Sequence, residues 1–345
     1  MLMAQQGADV VKIEPANGDW ARLIGEVVGD HSAYSIVANM GKRAISLNLK
    51  DPEAKEIVDK LIADADVFIE GYRPGVAERL GFGYDRLSEL NSRLIYVSIS
   101  GFGQTGPRAN QPGYDFLIQG MTGIMDLTGD PNGEPQKIGV AWIDILTGLH
   151  GVIGVQAALA ERERSGKGQQ IDLSLFDSGL TSLANQAMNY MIGGIEPKRM
   201  GNAHPNIAPY EVFPAKDGHL IITCGNDRQF ASLCKVLEIE ELSEATEFAK
   251  NVDRVKNREA LIKHLSSKTS LRGRDDLISA LEEKNVPAGP INRVSEALAD
   301  PQAISRGLQL EIDKVPGLST PIKFSRSQLV VDKAAPLLGQ DKWIF

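Results

Sequence analysis

A single acidic residue, Asp144, stands in the almost wholly apolar stretch 140–160, VAWIDILTGLHGVIGVQAALA. The stretch predicts a long helix that Asp144 opens, with Thr147 and His150 about one and two turns further on. An aspartate at the start of a helix most often caps it, because its carboxylate accepts a hydrogen bond from a free backbone N–H. A carboxylate that apolar neighbours strip of water, and that the helix dipole keeps ionised, also suits nucleophilic catalysis. The residues alone leave both roles open.

Three glycines, Gly148, Gly151 and Gly154, recur at every third position of the same stretch. Each glycine in a helix interior costs about 1 kcal/mol relative to alanine. Their regular spacing therefore predicts that another backbone or a bulky ligand passes close to this face of the helix.

Other common catalytic motifs do not occur in the sequence or fail in their context. There is no HExxH, GxSxG, Walker A or paired-cysteine motif, and the five histidines are scattered, so no metal site is predicted. The segment 101–106, GFGQTG, matches GxGxxG, but the two prolines in the next six residues prevent a helix from opening there to bind a pyrophosphate. Cys224 and Cys234 form no CxxC pair and are predicted to be buried thiols in a reducing compartment.

Strands and helices alternate in the part of the chain that precedes this helix. Short apolar, β-rich runs predict strands at 10–13, 44–49, 67–70 and 94–99. Residues 52–65 predict a helix with Asp51 as N-cap and Pro52 as its first residue. Such alternation is typical of an α/β fold with a mostly parallel sheet covered on both faces. The glycine- and proline-rich segment 100–114 follows the last of these strands, at the strand end where ligands bind in open α/β sheets.

A change of composition divides the chain into two predicted domains. Residues 1–192 are predicted to form the large domain, and residues 193–209, which contain prolines and glycines without apolar periodicity, a linker. An antiparallel strand pair followed by helices predicts a small α+β domain over residues 210–300. Residues 301–345 are predicted to return to the large domain, with one strand at 320–324.

Composition limits the classes of partner. With 345 residues, of which 42% are hydrophobic, the chain can bury a large core. Its net charge of −8 argues against binding to nucleic acid or to an anionic membrane. No apolar run reaches the ~20 uncharged residues of a membrane span, and the N-terminus lacks the basic region of a secretion signal. A cytoplasmic protein with a small partner is therefore predicted.

Several long segments, in the right order, closely resemble the family III coenzyme A (CoA) transferases, the CaiB/BaiF family. They are GADVVKIEP, NMGKRAISLNLKDPEAKEIVDKLIADADVFIEGYRPGVAERLGFGYDRL, YVSISGFGQTGP, PGYDF, and the Asp144 helix followed by GKGQQIDLSLFD. The resemblance covers nearly the whole chain. It implies a Rossmann-like large domain, a small domain, and two ring-shaped subunits threaded through each other as an interlocked homodimer.

The resemblance also implies an activity, the transfer of CoA from a short acyl-CoA donor such as succinyl-CoA to a carboxylic acid acceptor. The family's catalytic aspartate falls on Asp144. Its carboxylate attacks the donor thioester to form a mixed anhydride and then carries CoA as an aspartyl-CoA thioester until the acceptor collects it. CoA is a substrate in this scheme, and no permanently bound cofactor is implied. The segments PGYDFLIQ and NIAPYEVFPAKDGHLIIT look most like the dicarboxylate branch.

Five further positions match residues that contact CoA in the family. Leu47 and Lys50 match residues that line the adenine and phosphate end of CoA. Arg79 and Leu80 match a phosphate-binding arginine and its apolar neighbour, and Tyr114 matches an aromatic residue near the pantetheine thiol.

Departures from the family pattern define two alternatives. Gly71 stands where asparagine is usual, and Pro15 where some members have arginine. One alternative is an acyl-CoA racemase, a related class of enzyme that has a catalytic histidine where this chain has Tyr114. Racemisation needs two bases, and the tyrosine leaves one of them absent, so this alternative is the weaker one. Family members also begin further upstream with a strand and a helix that holds an oxyanion-binding glutamine, so the large domain is expected to be N-terminally incomplete. Because one oxyanion donor contributes about 10²–10³ in rate, a CoA-binding homologue without turnover is the other alternative.

Overall fold

The computed structural model describes residues 1–342, which form two compact units. Unit 1 comprises Met1–Thr122, Gly139–Ser182 and the segment from Ala297 onward. Unit 2 comprises Gly123–Ile138 and Leu183–Glu296. Compared with the predicted boundaries, residues 123–138 and 183–192 group with the second unit.

Strands and helices are numbered in chain order. The strands are β1 (Val11–Glu14), β2 (Val27–Val28), β3 (His31–Ser32), β4 (Arg43–Ser46), β5 (Val67–Glu70), β6 (Ile95–Ser100), β7 (Gln170–Ser174), β8 (Tyr210–Ala215), β9 (Gly218–Thr223), β10 (Ala288–Pro290), β11 (Gln309–Ile312) and β12 (Val315–Leu318). The helices are α1 (Leu2–Gln5), α2 (Ala33–Asn39), α3 (Pro52–Asp64), α4 (Val76–Leu80), α5 (Tyr84–Leu90), α6 (Asp115–Met121), α7 (Ile124–Leu127), α8 (Trp142–Ser165), α9 (Leu175–Thr181), α10 (Ala184–Gly193), α11 (Asp227–Val236), α12 (Glu241–Glu244), α13 (Asn251–Lys256), α14 (Arg258–Thr269), α15 (Arg274–Glu283), α16 (Val294–Leu298) and α17 (Pro301–Ser305). A 3₁₀ helix spans Trp20–Leu23.

Unit 1 contains two parallel sheets. β1 pairs with β4, and β5, β6 and β7 form a three-stranded sheet in that order. β6 is buried along almost its whole length, as expected for a parallel strand with both faces covered. The predicted α/β class with parallel strands is confirmed. No described strand pairs with the free edge of β1 or of β5, so β1–β4 and β5–β6–β7 are two separate sheets.

One local prediction in unit 1 is confirmed and one is wrong. Helix α3 begins with Pro52, has Asp51 at its N-cap position as predicted, and buries Ala54, Val58 and Ile62 on one face. The side chain of Asp51 makes no hydrogen bond to the helix. Its Oδ1 instead accepts a hydrogen bond from the side chain of Asn48 at 2.9 Å. The strand predicted at 320–324 does not form, and the antiparallel hairpin of β11 and β12 lies before that segment.

The long helix predicted around Asp144 is α8, which packs against the three-stranded sheet. Val155 and Ala158 are buried against Ile95 and Val97 of β6, and burial of one such valine or isoleucine stabilises the fold by ~1.5–3 kcal/mol. By length and composition, α8 is apolar enough to cross a membrane, a test that sheet-packed core helices also pass. In the structure, α8 packs on the sheet through Val155 and Ala158, and 28% of its most apolar window is buried.

The spacing of the α8 glycines predicted that a backbone or a bulky ligand passes close to them, but the neighbours of two of these glycines are side chains at ordinary contact distance. An added Cβ would lie 3.4 Å from Leu173 at Gly151 and 3.5 Å from Ile171 at Gly154. Both neighbours belong to β7, so these glycines let the helix pack closely on the sheet. No described heavy atom lies within 4 Å of an added Cβ at Gly148.

Unit 2 is built on the antiparallel sheet β10–β9–β8. The predicted hairpin is confirmed, with Ala215 opposite Gly218 at its turn. Helices α11, α14 and α15 contribute apolar side chains to one core that also contains Phe213 and Leu220. Cys224 and Cys234 are both fully buried in this core as free thiols, as predicted.

Candidate active site

Asp144 lies in the first turn of α8, as the third residue of the helix. The N-cap position is Ala141, and α8 has no side-chain cap of its own. Asp144 is therefore not a cap, which removes the structural role that the sequence left open. Its side chain is exposed between the partly exposed side chains of Trp142 and Ile145. Within residues 1–342, no hydrogen bond reaches its carboxylate.

The N-terminus of α8 is capped by Asp115, the first residue of α6. The Oδ2 atom of Asp115 accepts hydrogen bonds from the backbone N–H groups of Ile143 at 2.7 Å and Asp144 at 3.2 Å. Its Oδ1 atom accepts a hydrogen bond from Nε2 of Gln119 at 2.6 Å. Sequence reasoning missed this role, because a contact between residues 29 positions apart leaves no local pattern.

Two influences raise the pKa of Asp144 to about 6: the loss of hydration where its carboxyl group lies against the protein, and the negative charge of Asp115. The dipole of α8 favours the ionised carboxylate and so lowers this pKa, but its effect is smaller than that of the two raising influences. The carboxyl group is still mostly ionised at neutral pH, as a nucleophilic carboxylate must be. It loses its charge as the pH falls through about 6.

The loop 101–114 is closed by two glycines and leads directly into α6. A Cβ added at Gly101 would lie only 2.6 Å from Cα of Gly113, so the two backbones are in contact. Further along the loop, the backbone N–H of Gln104 donates a hydrogen bond to the carboxylate of Asp172 at 3.0 Å. No helix begins in this loop before Asp115, which agrees with the rejection of a dinucleotide-binding loop. The glycine contact therefore fixes where the chain enters α6.

Tyr114 is the last loop residue and the N-cap position of α6. Its side chain is 70% exposed. Because the next residue caps the helix of Asp144, the structure brings Tyr114 into the same part of unit 1 as the candidate nucleophile. The other residues at helical spacing from Asp144 have structural contacts: Oγ1 of Thr147 donates to the carbonyl of Ile143 at 2.8 Å, and Nδ1 of His150 lies 3.2 Å from Oγ of Ser178. Among residues 1–342, no group of three or more His, Cys, Asp or Glu side chains is arranged to hold a metal ion.

The four remaining candidates form two pairs. Leu47 and Leu80 both pack against one hydrophobic cluster of unit 1, whose buried members are Val58, Ile62, Phe82, Leu87, Leu94 and Tyr96. Lys50 and Arg79 lie close to these leucines in sequence, and their side chains are exposed. The two leucines thus border the same cluster, and each has an exposed cation near it in sequence. No hydrogen bond or ion pair in the described residues joins these four side chains to Tyr114 or Asp144.

The α/β unit presents an exposed carboxylate near a helix N-terminus, an arrangement that suits a nucleophile in acyl transfer. The family model described as CoA-transferase family III matches residues 1–342, and the chain belongs to this family. The predicted enzyme class is confirmed.

Particular relatives match almost the whole of this chain and about four fifths or more of their own length. The succinate–glutarate CoA-transferase of Agrobacterium fabrum is 44% identical over 98% of this chain and 88% of the relative. The human succinyl-CoA:glutarate CoA-transferase is 38% identical over 99% of this chain and 79% of the relative. The crystal structure of a CAIB/BAIF family protein from Brucella suis is 50% identical in sequence. Its superposition on this chain has a TM-score of 0.88 and covers 98% of this chain and 91% of the Brucella protein.

Proposed function

We propose that this protein transfers CoA from succinyl-CoA or a similar short acyl-CoA to a dicarboxylic acid, with Asp144 as the covalent carrier. The observation that carries the proposal is the exposed carboxylate of Asp144 at the start of α8, on a backbone held by Asp115. The names of the Agrobacterium and human relatives, which refer to succinate or succinyl-CoA and to glutarate, support dicarboxylates as the acids exchanged.

The proposed reaction has four steps and needs no net proton transfer. A carboxylate oxygen of Asp144 attacks the thioester carbonyl, the C–S bond breaks, and CoA leaves as a thiolate from a mixed anhydride. The thiolate attacks the aspartyl carbonyl, which releases the donor acid as a carboxylate and leaves an aspartyl-CoA thioester. The acceptor carboxylate then attacks this thioester to give a second anhydride and CoA thiolate. Attack of the thiolate on the acceptor carbonyl forms the new acyl-CoA and restores Asp144.

A transfer screen tests the proposed function. The protein is incubated with succinyl-CoA and, separately, acetyl-CoA against glutarate and the matched monocarboxylate valerate, and all CoA esters are followed by mass spectrometry. We expect glutaryl-CoA to appear as succinyl-CoA disappears, with little valeryl-CoA. Incorporation of deuterium at the α-carbon of the acyl-CoA without an acceptor would instead indicate a racemase. Binding of CoA without any transfer would indicate a homologue without turnover.

We propose the predicted large domain, residues 1–192 with 301–345, as the CoA-binding part of the chain, with residues 210–300 as the small domain. Leu47 and Leu80 are proposed to line the adenine, and Lys50 and Arg79 to bind the phosphates, which their exposed cationic ends support. Tyr114 is proposed to contact the pantetheine near its thiol. CoA enters and leaves as a substrate in this proposal, and no permanently bound cofactor takes part.

Replacing Lys50 or Arg79 by alanine is expected to weaken binding of the acyl-CoA donor. Each change removes one charge-assisted contact to a phosphate, worth about 1.5–3 kcal/mol, so KM for succinyl-CoA is expected to rise about tenfold or more with little change in kcat. Steady-state kinetics with succinyl-CoA and with succinyl-pantetheine measure this. The short thioester is the control, because it has no adenosine phosphates and its KM is expected to stay the same in both variants. An equal rise in KM for both thioesters would contradict the assignment.

We propose that two copies of the chain form the interlocked homodimer. The support is a row of partly exposed apolar side chains along α8, namely Trp142, Ile145, Leu149 and Ile153, which a monomer would leave in water. Sedimentation equilibrium is expected to give twice the chain mass of 37.4 kDa, and a monomer at micromolar concentration would contradict the proposal.

The buried free thiols Cys224 and Cys234 support a cytoplasmic location, where thiols stay reduced.

A further inference from the structure

Asp115 makes three hydrogen bonds that link α6 to the first turn of α8. Two of them come from the backbone N–H groups of Ile143 and Asp144, at 2.7 and 3.2 Å. The first N–H groups of a helix have no partner within the helix, and α8 has no side-chain cap of its own. The carboxylate of Asp115 therefore does for α8 what a local N-cap residue does in most helices.

Asp115 is itself held in place. Nε2 of Gln119, one turn further along α6, donates a hydrogen bond to its Oδ1 atom at 2.6 Å. Gln119 is fully buried, so its side chain has little freedom to release the carboxylate. The hydrogen bonds thus tie the backbone of Asp144 to a buried side chain of another helix.

The position of these hydrogen bonds has a consequence for the side chain of Asp144. An acidic residue in the first turn of a helix is usually stabilised by the free N–H groups and the positive end of the dipole. Here Asp115 takes up the N–H groups of Ile143 and Asp144, and it adds a negative charge nearby. The carboxylate of Asp144 receives less stabilisation and remains free of hydrogen bonds among the described residues.

We propose that Asp115 is a positioning residue for CoA transfer: it fixes the backbone of Asp144 and withholds backbone donors from its carboxylate. This inference rests on the proposed role of Asp144 as nucleophile. Asp115 forms no covalent bond and exchanges no proton in the reaction. Its effect is to hold a reactive carboxylate in a constant orientation toward the thioester, where small displacements have large effects on rate.

Two substitutions separate the cap from the charge. Asp115→Asn keeps one oxygen that accepts from the helix and removes the negative charge, so kcat at pH 7.5 is expected to stay within about threefold of the wild type. Asp115→Ala removes the cap, and kcat is expected to fall about 30-fold with KM for the donor nearly unchanged. Asp177→Asn is the matched control, because Asp177 is an exposed aspartate in the first turn of α9; it is expected to leave both constants unchanged.

The pH profile gives a readout that a purely structural role would not change. In the wild type, kcat/KM for the donor is expected to fall as the pH drops through about 6, because protonation of Asp144 removes the nucleophile. In Asp115→Asn this limb is expected to move to lower pH by about half a unit, since one raising influence is gone. A 3′-dephospho-CoA thioester serves as donor, because the 3′-phosphate would titrate in the same range.

Carboxyl-carbon NMR separates this inference from the proposed function. The Asp144 signal, assigned by its loss in Asp144→Asn, is titrated in the wild type and in Asp115→Asn without substrate. A lower titration midpoint in Asp115→Asn supports the inference even if the protein transfers no CoA. The inference is overturned if the midpoint and the acid limb are the same in both proteins, or if folded Asp115→Ala, checked by circular dichroism, keeps kcat within twofold of the wild type.

Discussion

Asp144→Asn is expected to lower CoA transfer by about 10³-fold or more. Asparagine has nearly the same shape as aspartate, and Asp115 can still cap the backbone N–H groups of Ile143 and of the substituted residue. The amide cannot form the anhydride or carry CoA as a thioester, so both halves of the reaction are blocked. Steady-state transfer of CoA from succinyl-CoA to glutarate, followed by mass spectrometry, measures the loss.

A trapping experiment identifies the attacked residue directly. Wild-type protein is incubated with succinyl-CoA and treated with hydroxylamine or borohydride, and the peptide that contains Asp144 is expected to carry the modification. Asp144→Asn is expected to remain unmodified while still binding CoA in calorimetry, which shows that its site is intact. Asp177→Asn serves as the control that keeps full activity and full labelling. A label on another residue, or turnover by Asp144→Asn near the wild-type rate, would refute the covalent mechanism.

Local patterns in the sequence were enough to predict the parallel strands β1, β4, β5 and β6 and the helices α3 and α8 of unit 1. Short β-branched runs are typical of strands, and β1, β5 and β6 lie within a residue or two of their predicted bounds. Helix α8 was predictable from its length and apolar composition. The separation of the strands into two sheets was not, because strand pairing depends on contacts between distant segments. The hairpin of β11 and β12 was missed, and a strand was predicted instead in the segment that follows it.

In the candidate active site, too, local patterns were predictable and contacts between distant segments were not. A lone acid in an apolar helix singles out Asp144, and the resemblance assigns its role, but nothing near it in sequence points to Asp115. Sequence reasoning also did not predict where backbones approach each other closely. It expected a backbone or a bulky ligand along the glycines of α8, where Gly151 and Gly154 face side chains, whereas backbone atoms lie close together at Gly101 and Gly113, and also at Gly168. A glycine can indicate that another group lies close to the backbone, but the sequence does not identify that group.

Gly101→Ala is therefore expected to have the second-largest effect on activity. The new Cβ would lie 2.6 Å from Cα and 2.9 Å from the backbone nitrogen of Gly113, so one backbone must move. We expect a loss of about 1–3 kcal/mol in the free energy of unfolding. The displacement reaches Tyr114 and Asp115 first, and through Asp115 the backbone of Asp144, so kcat is expected to fall about 10²-fold. Thermal denaturation and steady-state kinetics measure the two effects.

Gly139→Ala is the matched control, because no described heavy atom lies within 4 Å of a Cβ added there, and its activity is expected to stay normal. Gly113→Ala tests the source of the effect. A Cβ at Gly113 would lie 2.6 Å from Cα of Gly101, so either substitution separates the same pair of backbones. Once one substitution has separated the two backbones, the other substitution has little further effect on their contact. The double variant is therefore expected to lose clearly less stability than the sum of the two single losses. Additive losses, or a fall in stability with no fall in kcat, would show that this contact does not position the site.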